Sequence, residues 1–360
     1  MDNVTHTLFA LTLARTRLRR GGRGTTTALV LASNAPDIDI VAALGGSADY
    51  LAWHRGPTHA LLGIVGLGVV TAALAWGGGK FREQRAEGHG QRAPFTTLLA
   101  VSLVGVLFHI LMDLPTSYGT RLLSPFAWRW YAIDLLPIID FYLLIALAAG
   151  LVVGRRSAEA GRRCAAIVFV VMAANYGGRA IAHHAALNLT EREFGATLPP
   201  ACDQQALGSL VDAWPRTVSS RGSGGPCTIE TAALPTFLSP FQWRVIRRLP
   251  GAYWVYDVDV LARRAPSSER SGDRGVWVTD HWTPAVLEAA KTRTAQVFLG
   301  FSRFPRAAVS VDPARVTTVR LTDMRFAVTD PDLDVRRPTL FTLTVTLGPK
   351  HEILQERLGE

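Results

Sequence analysis

Cysteine is scarce in this chain, with three among 360 residues. That excludes a disulfide-rich scaffold and a zinc site built from cysteine alone. Cys164 opens an apolar run, whereas Cys202 and Cys227 lie in the polar second half. If that half is exported, the two can form one disulfide, and two free thiols are an equally good reading. The N-terminus, MDNVTHTLFA, lacks the basic start of a signal peptide, and the polar RTRLRRGGRG follows where a cleavage site would be expected. No internal repeat and no low-complexity tract is present.

What the sequence does have is apolar length. Hydrophobic residues make up 48% of the chain, and the mean hydropathy is +0.18, high for a soluble protein. The apolar residues crowd into the first half, and a chain of this length suggests two domains. Four segments, roughly 58–76, 95–115, 134–153 and 163–182, are long and apolar enough to span a bilayer. Residues 4–14 and 25–44 form weaker apolar helices, the second interrupted by NAPDID. Neither is expected to span well alone, and both can lie embedded against the clear spans.

The net charge of +9 taken alone points to nucleic acid, but much of it sits in short loops between apolar runs. Arg15, Arg17, Arg19, Arg20 and Arg23 follow the first apolar helix. Lys80, Arg82, Arg85 and Arg92 follow the first clear span, and Arg155, Arg156, Arg162 and Arg163 separate the last two. These loops alternate so that all can be cytoplasmic together. The N-terminus, residues 45–57, residues 116–133 and everything beyond about 183 are then expected on the non-cytoplasmic side of an inner membrane, and no nucleic acid is expected as a partner.

The expected fold is mainly α: a helical membrane domain over 1–182, with four clear spans and two embedded helices, and a small α+β extramembrane domain over 183–360. Within the second domain, 183–250 reads as loops and short helices. YWVYDVDVL, GVWVTD, VTTVRLTDMRFAV and LFTLTVTL read as strands, and PAVLEAAKTRTAQVFLGF reads as a helix.

The residues that can carry chemistry converge on one membrane face. His6 begins the first apolar helix. Asp37 and Asp39 lie in NAPDID, and His54, Arg55 and His59 in HRGPTHA. His109 and Asp113 end the second span in FHILMD. The topology came from Arg and Lys alone, yet it gathers all of these at the non-cytoplasmic face. His109 and Asp113 are four apart, so they share a helix face and can bind one ion or bridge two. Imidazole and carboxylate suit zinc, with iron or manganese as alternatives. Against this, the aspartates can cap a helix or form turns, HRGPTHA can be a plain loop, and Arg55 can be an interfacial arginine. The pair inside a span is hardest to explain so blandly, because ionisable residues there are costly and mostly functional.

DNVTHT, NAPDID, HRGPTHA, FHILMD, TSYGTRLLSPF and AIDLLPIID, in that order over roughly residues 1–180, resemble the YdjM-type family of membrane-bound metal-dependent hydrolases. That family is itself distantly similar to zinc-dependent phospholipase C and related single-strand nucleases. The resemblance implies metal ligands at His6, Asp37 (or Asp39), His54 or His59, His109 and Asp113. The soluble enzymes supply further His and Glu ligands downstream. Here no clear equivalent exists, although Asp134, Asp140 or His183 can substitute, so one or two ions are expected.

The expected activity is metal-assisted hydrolysis of a phosphoester in a lipid or lipid-linked substrate. Asp37 or Asp39 would orient or deprotonate water, Arg55 would stabilise developing charge, and Tyr118 and Thr120 would line the pocket. A metal-ion or proton-coupled transporter is one alternative, although LLGIVGLGVVTAALAW carries no charge through its depth. A non-catalytic membrane scaffold is the other. Protein partners and oligomeric state are not legible.

Overall fold

The computed structural model describes residues 1–84, 91–194, 199–202, 211–215, 227–262, 275–327 and 341–359. Arg85 and the outer ends of two expected strands, at 328 and 340, lie outside these. The chain forms two compact units: Met1–Val41 with Trp53–Ala180, and Ala42–Ala52 with Ile181–Glu360.

The first unit is helical. Its elements are α1 (Asn3–Leu13), α2 (Thr25–Asn34), the end of α3 (Ser47–Trp53), α4 (Leu61–Gln84), α5 (Phe95–Asp113), the short strand β1 (Trp130–Ala132), α6 (Phe141–Val153) and the first part of α7 (Ala158–Phe194). Asp2 caps α1 by accepting from the Thr5 amide, and Asp140 caps α6 by accepting from Tyr142 and Leu143. After α2 the chain tightens into a 3-10 segment, Ala35–Gly45.

Four helical stretches are long and apolar enough to cross a membrane: Thr25–Gly45, Leu61–Lys80, Phe95–Asp113 and Ala158–Leu189. α5 alone reaches about 29 Å at 1.5 Å per residue, close to the thickness of a hydrocarbon core. α4 leaves Leu61, Leu62, Val65, Val69, Val70 and Leu74 exposed. Such a face suits lipid and is out of place in water.

Two expectations about the spans need correction. Residues 134–153 do not form one span: Asp134 has φ +59, Asp140 starts the helix, and α6 is about 20 Å long. Conversely, Thr25–Gly45 is long enough, because the helix continues through NAPDID as a 3-10 turn instead of breaking there.

Helix packing depends on small residues. A Cβ on Gly105 of α5 would sit 2.8 Å from the Ala32 Cβ and 3.2 Å from the Leu29 carbonyl oxygen. α2 and α5 therefore touch almost backbone to backbone. The core between the helices is apolar, with Phe9, Leu29, Leu98, Met112, Leu136 and Leu147 all buried.

One end of this unit is basic. The Arg15 guanidinium donates to the Leu151 carbonyl at the end of α6, 2.9 Å away. Arg23 and Arg92 pair as a parallel bridge. The opposite ends of α1, α5 and α6 carry His6, Asp113 and Asp140.

The second unit is rich in β-sheet. Strand β2 (Asp212–Trp214) precedes a four-stranded antiparallel sheet ordered β3 (Glu230–Pro235), β4 (Gln242–Leu249), β5 (Ala252–Asp259) and β6 (Val276–Thr279). A second antiparallel sheet comprises β7 (Pro305–Val311), β8 (Thr317–Asp323), β9 (Thr342–Leu347) and β10 (Ile353–Leu358), each paired with the next. Between the sheets in sequence, the expected single helix over 284–301 is two: α8 (Pro284–Ala289) and α9 (Arg293–Phe301), because Thr292 caps the second. β3 and β4 lie in the stretch expected to be loops and short helices, and β7 and β10 were not expected. Cys202 and Cys227 are joined as a disulfide.

Candidate metal centre

His109 lies on the last turn of α5, and its Nδ1 is 2.8 Å from the Ser33 carbonyl oxygen at the end of α2. A carbonyl only accepts, so Nδ1 carries the proton and Nε2 presents its lone pair. His59 ends a single 3-10 turn, Pro57–His59. Its Nδ1 is 3.3 Å from Asp39 Oδ2 and 3.0 Å from Thr58 Oγ1, which again directs Nε2 inward. The two Nε2 atoms stand 3.1 Å apart.

Two carboxylate oxygens complete the group. Asp37 Oδ1 is 3.4 Å from His59 Nε2 and 3.6 Å from His109 Nε2. Asp113 Oδ2 is 3.5 Å from His59 Nε2 and 3.4 Å from His109 Nε2. Four electron-pair donors from three segments, two of them on α5, therefore cluster around the paired Nε2 atoms. No proton sits between the imidazoles in this tautomer, and Asp113 Oδ2 is buried without a hydrogen-bond donor. Zinc holds N and O ligands at about 2.0–2.1 Å, so tetrahedral ligands stand roughly 3.3–3.4 Å from one another. Five of the six edges of this group run 3.1–3.6 Å, near that spacing. Two overlapping groups are each able to hold an ion: Asp37, His59 and His109, and His6, His109 and Asp113.

His6 stacks on His109, with ring centroids 3.8 Å apart. Its Nε2 is 3.4 Å from Asp113 Oδ1, and neither ring nitrogen is hydrogen-bonded. Burial, and then the neighbouring His109, holds the His6 pKa well below its ordinary value. A neutral His6 can thus serve as a further ligand to the same ion or to a second one bridged by Asp113.

The local backbone explains how a short sequence reaches these positions. On a 3-10 turn of three residues per turn, Asp37 and Asp39 point in different directions. Asp37 faces His59 and His109. Asp39 turns away from His109 and collects His54 Nδ1 at 3.1 Å, the Arg55 amide at 2.8 Å and Thr58 Oγ1 at 3.4 Å, besides His59. Arg55 takes φ +51. The next residue must be glycine, because a Cβ at 56 would lie 2.7 Å from the Trp53 carbonyl oxygen. Asp39 is therefore a support for two histidines and a loop.

His54 stands behind this support and outside the four-donor group, and its ring packs edge-on against Tyr118 at 5.3 Å. Burial lowers its pKa, with the Asp39 carboxylate opposing. Arg55 is buried and its guanidinium is engaged: Nη2 donates to Asp113 Oδ1 at 3.1 Å, and Nη1 to Thr116 Oγ1 at 3.1 Å and the Gly119 carbonyl at 3.2 Å. Tyr118 lies under it, 4.8 Å from guanidinium to ring. The Met1 amine also meets Asp113 Oδ1.

Asp134, Asp140 and His183 join neither group. Asp140 caps α6 and pairs with Arg179 at 3.2 Å, and His183 packs on Trp243. Sequence reasoning did not mark Ser33, Thr58 or Thr116. Ser33 acts through its carbonyl, which leaves no side-chain signal.

In comparisons with known proteins, the YdjM inner membrane protein family matches residues 1–186, just over half of the chain. An uncharacterised protein of Bacillus subtilis, YfhP, is 30% identical over 126 residues, 35% of this chain and 35% of its own length. The match thus spans about a third of that relative. No solved structure matches the chain.

Proposed function

The chain belongs to the YdjM inner membrane protein family, and on that footing we propose that its helical unit is a metal-dependent hydrolase acting on a phosphoester of a lipid or lipid-linked substrate. The observation that carries the reading is the four-donor group of Asp37, His59, His109 and Asp113, five of whose six edges run at the spacing of ligands around one ion. Asp37, His59, His109 and Asp113 would hold a divalent transition ion, zinc being the best fit to two imidazoles and two carboxylates, and when bound it would polarise a phosphoryl oxygen and lower the pKa of water.

The protein's own groups then divide the remaining work. Asp37 Oδ2 is buried with no hydrogen-bond partner among the described residues, in a side chain that is 18% exposed overall, whereas those of His59, His109 and Asp113 are closed to solvent. It is the carboxylate placed to orient water and take its proton. Asp39, saturated by four contacts, fixes His54 and His59. Arg55 holds Asp113 and the 116–119 loop in place, and so positions the site instead of clamping substrate.

The rim favours a lipid. Ile38 and Ile40, which alternate with the two aspartates, are 59% and 63% exposed, and Trp53 and Trp128, which pack edge to face beside Gly56, are 51% and 42% exposed. A water-soluble substrate gains little from such a border, but a bilayer lipid can approach across it. The disulfide between Cys202 and Cys227 and the basic opposite end support a site and a C-terminal domain on the non-cytoplasmic side.

The test is release of phosphorylated headgroup or phosphate, followed by phosphorus NMR, from vesicles of mixed phospholipids and polyprenyl phosphates carrying the full-length protein. Zinc-dependent release, lost on chelation and in Asp37→Asn, supports the reading. Zinc bound at full stoichiometry with no release from any phosphoester overturns the hydrolase and leaves a transporter or scaffold.

A further inference from the structure

We propose that the basic end of the helical unit holds a second ligand site, one that takes the phosphate of an anionic lipid headgroup. The site is a cavity of about 560 Å³ lined by Arg15, Arg155, Arg162 and Ser157 over Gly154 and Gly161. It shares no residue with the metal centre and lies at the opposite ends of α1 and α6, so it stands or falls independently of the hydrolase reading.

Three separate segments deliver the arginines. Arg15 follows α1, Arg155 lies in the turn between α6 and α7, and Arg162 lies in the second turn of α7. A topology bias requires arginines only on one side of the membrane. It does not require them to converge on one hollow. The floor of the hollow carries no side chains, and Gly154 and Gly161 pack backbone to backbone there: a Cβ on Gly154 would lie 2.7 Å from Arg15 Nη1 and 3.0 Å from Gly161 Cα. Arg15 is held there by its bond to the Leu151 carbonyl.

Local charge favours an anion. Ser157 caps α7 by accepting from the Ala160 amide at 3.1 Å, so the positive end of a 37-residue helix opens at the cavity. The one acid in the first turn, Glu159, is matched by Arg163 at 2.5 Å. Arg155 and Arg162 are both exposed. Guanidinium groups bind phosphate oxygens in bidentate fashion, and basic pockets between membrane helices suit anionic headgroups. Val152 and Val153, 58% and 55% exposed at the adjoining end of α6, offer the surface along which acyl chains would lie.

The test titrates the full-length protein in neutral detergent with phosphatidylglycerol, phosphatidylcholine or inorganic phosphate. Native mass spectrometry reads the bound stoichiometry, and the unfolding midpoint reads stabilisation. Expected are saturable binding of phosphatidylglycerol in preference to phosphatidylcholine, and a loss of affinity of at least about tenfold in Arg155→Gln/Arg162→Gln. Arg17→Gln/Arg156→Gln, which removes as much charge from exposed residues outside the cavity lining, should stay within about threefold of the parent. Both double variants replace exposed side chains, and the ligand-free melting curve verifies their fold. Equal losses in the two double variants would show diffuse charge attraction and overturn the site. Inorganic phosphate binding as tightly as phosphatidylglycerol would overturn the lipid assignment.

Discussion

The Nε2 atoms of His59 and His109 stand 3.1 Å apart, each with its Nδ1 tied behind it, one to Asp39 and one to the Ser33 carbonyl. Two imidazole lone pairs at that distance repel unless a cation lies between them, and Asp37 and Asp113 each bring a carboxylate oxygen within 3.6 Å of both. Substitution with cobalt(II) should therefore give the strong visible absorption of a tetrahedral ion with nitrogen and oxygen ligands. The weak spectrum of an octahedral aquo-like ion would contradict this geometry.

Removal of residues behind the ligands should be graded. Asp39→Asn and His54→Ala leave all four donors in place, so metal affinity should fall by about 10–100-fold without being abolished. Asp39→Asn should be the more severe, because that carboxylate supports His59 as well as His54. Competition with a chromogenic chelator measures both. Equal and complete loss in His54→Ala would instead make His54 a direct ligand.

Arg55 separates binding from turnover. Arg55→Ala removes the donors to Asp113 Oδ1, Thr116 and Gly119 but none of the four inward-facing donors. Metal should be retained with weakened affinity while turnover is lost, and Arg55→Lys should not restore it, since one ammonium cannot reproduce the fork. Full activity in Arg55→Ala would refute its positioning role.

Packing at a distance should reach the site through α2. Gly105→Leu would drive a side chain into Ala32 and the Leu29 carbonyl, displacing the helix whose last residues carry the Ser33 carbonyl. The substitution should lower the thermal midpoint and loosen metal binding together, whereas Gly66→Leu, at a position with open space, should change neither. A destabilised Gly105→Leu protein with unchanged metal affinity would uncouple α2 from the site.

Much of the site is legible in the sequence because its donors sit in short, ordered motifs. His109 and Asp113 announce themselves by their four-residue spacing inside an apolar helix, NAPDID by charge within an apolar run, and HRGPTHA by two histidines and an arginine at the mouth of a span. The division of labour between Asp37 and Asp39 is not legible. It depends on a 3-10 turn that the sequence presents as an interruption, and two aspartates two apart look equivalent until the pitch is known. The same turn hid the length of Thr25–Gly45. In the second unit, β3 and β4 escape because ETAALP and QWRVIRRL mix helix-favouring residues with charge, and their strand character comes from pairing with β5. Ser33 and Gly105 act through backbone and close approach, which composition does not record.

The most direct test of the metal centre is elemental analysis of the purified full-length protein beside its His109→Ala and Asp113→Ala variants, all verified as membrane-inserted. A divalent transition metal, zinc above all, should be present at one or two ions per chain in the parent and absent from both variants. Stoichiometric metal persisting in both variants, or a metal-free parent that folds and binds none on addition, would contradict the account.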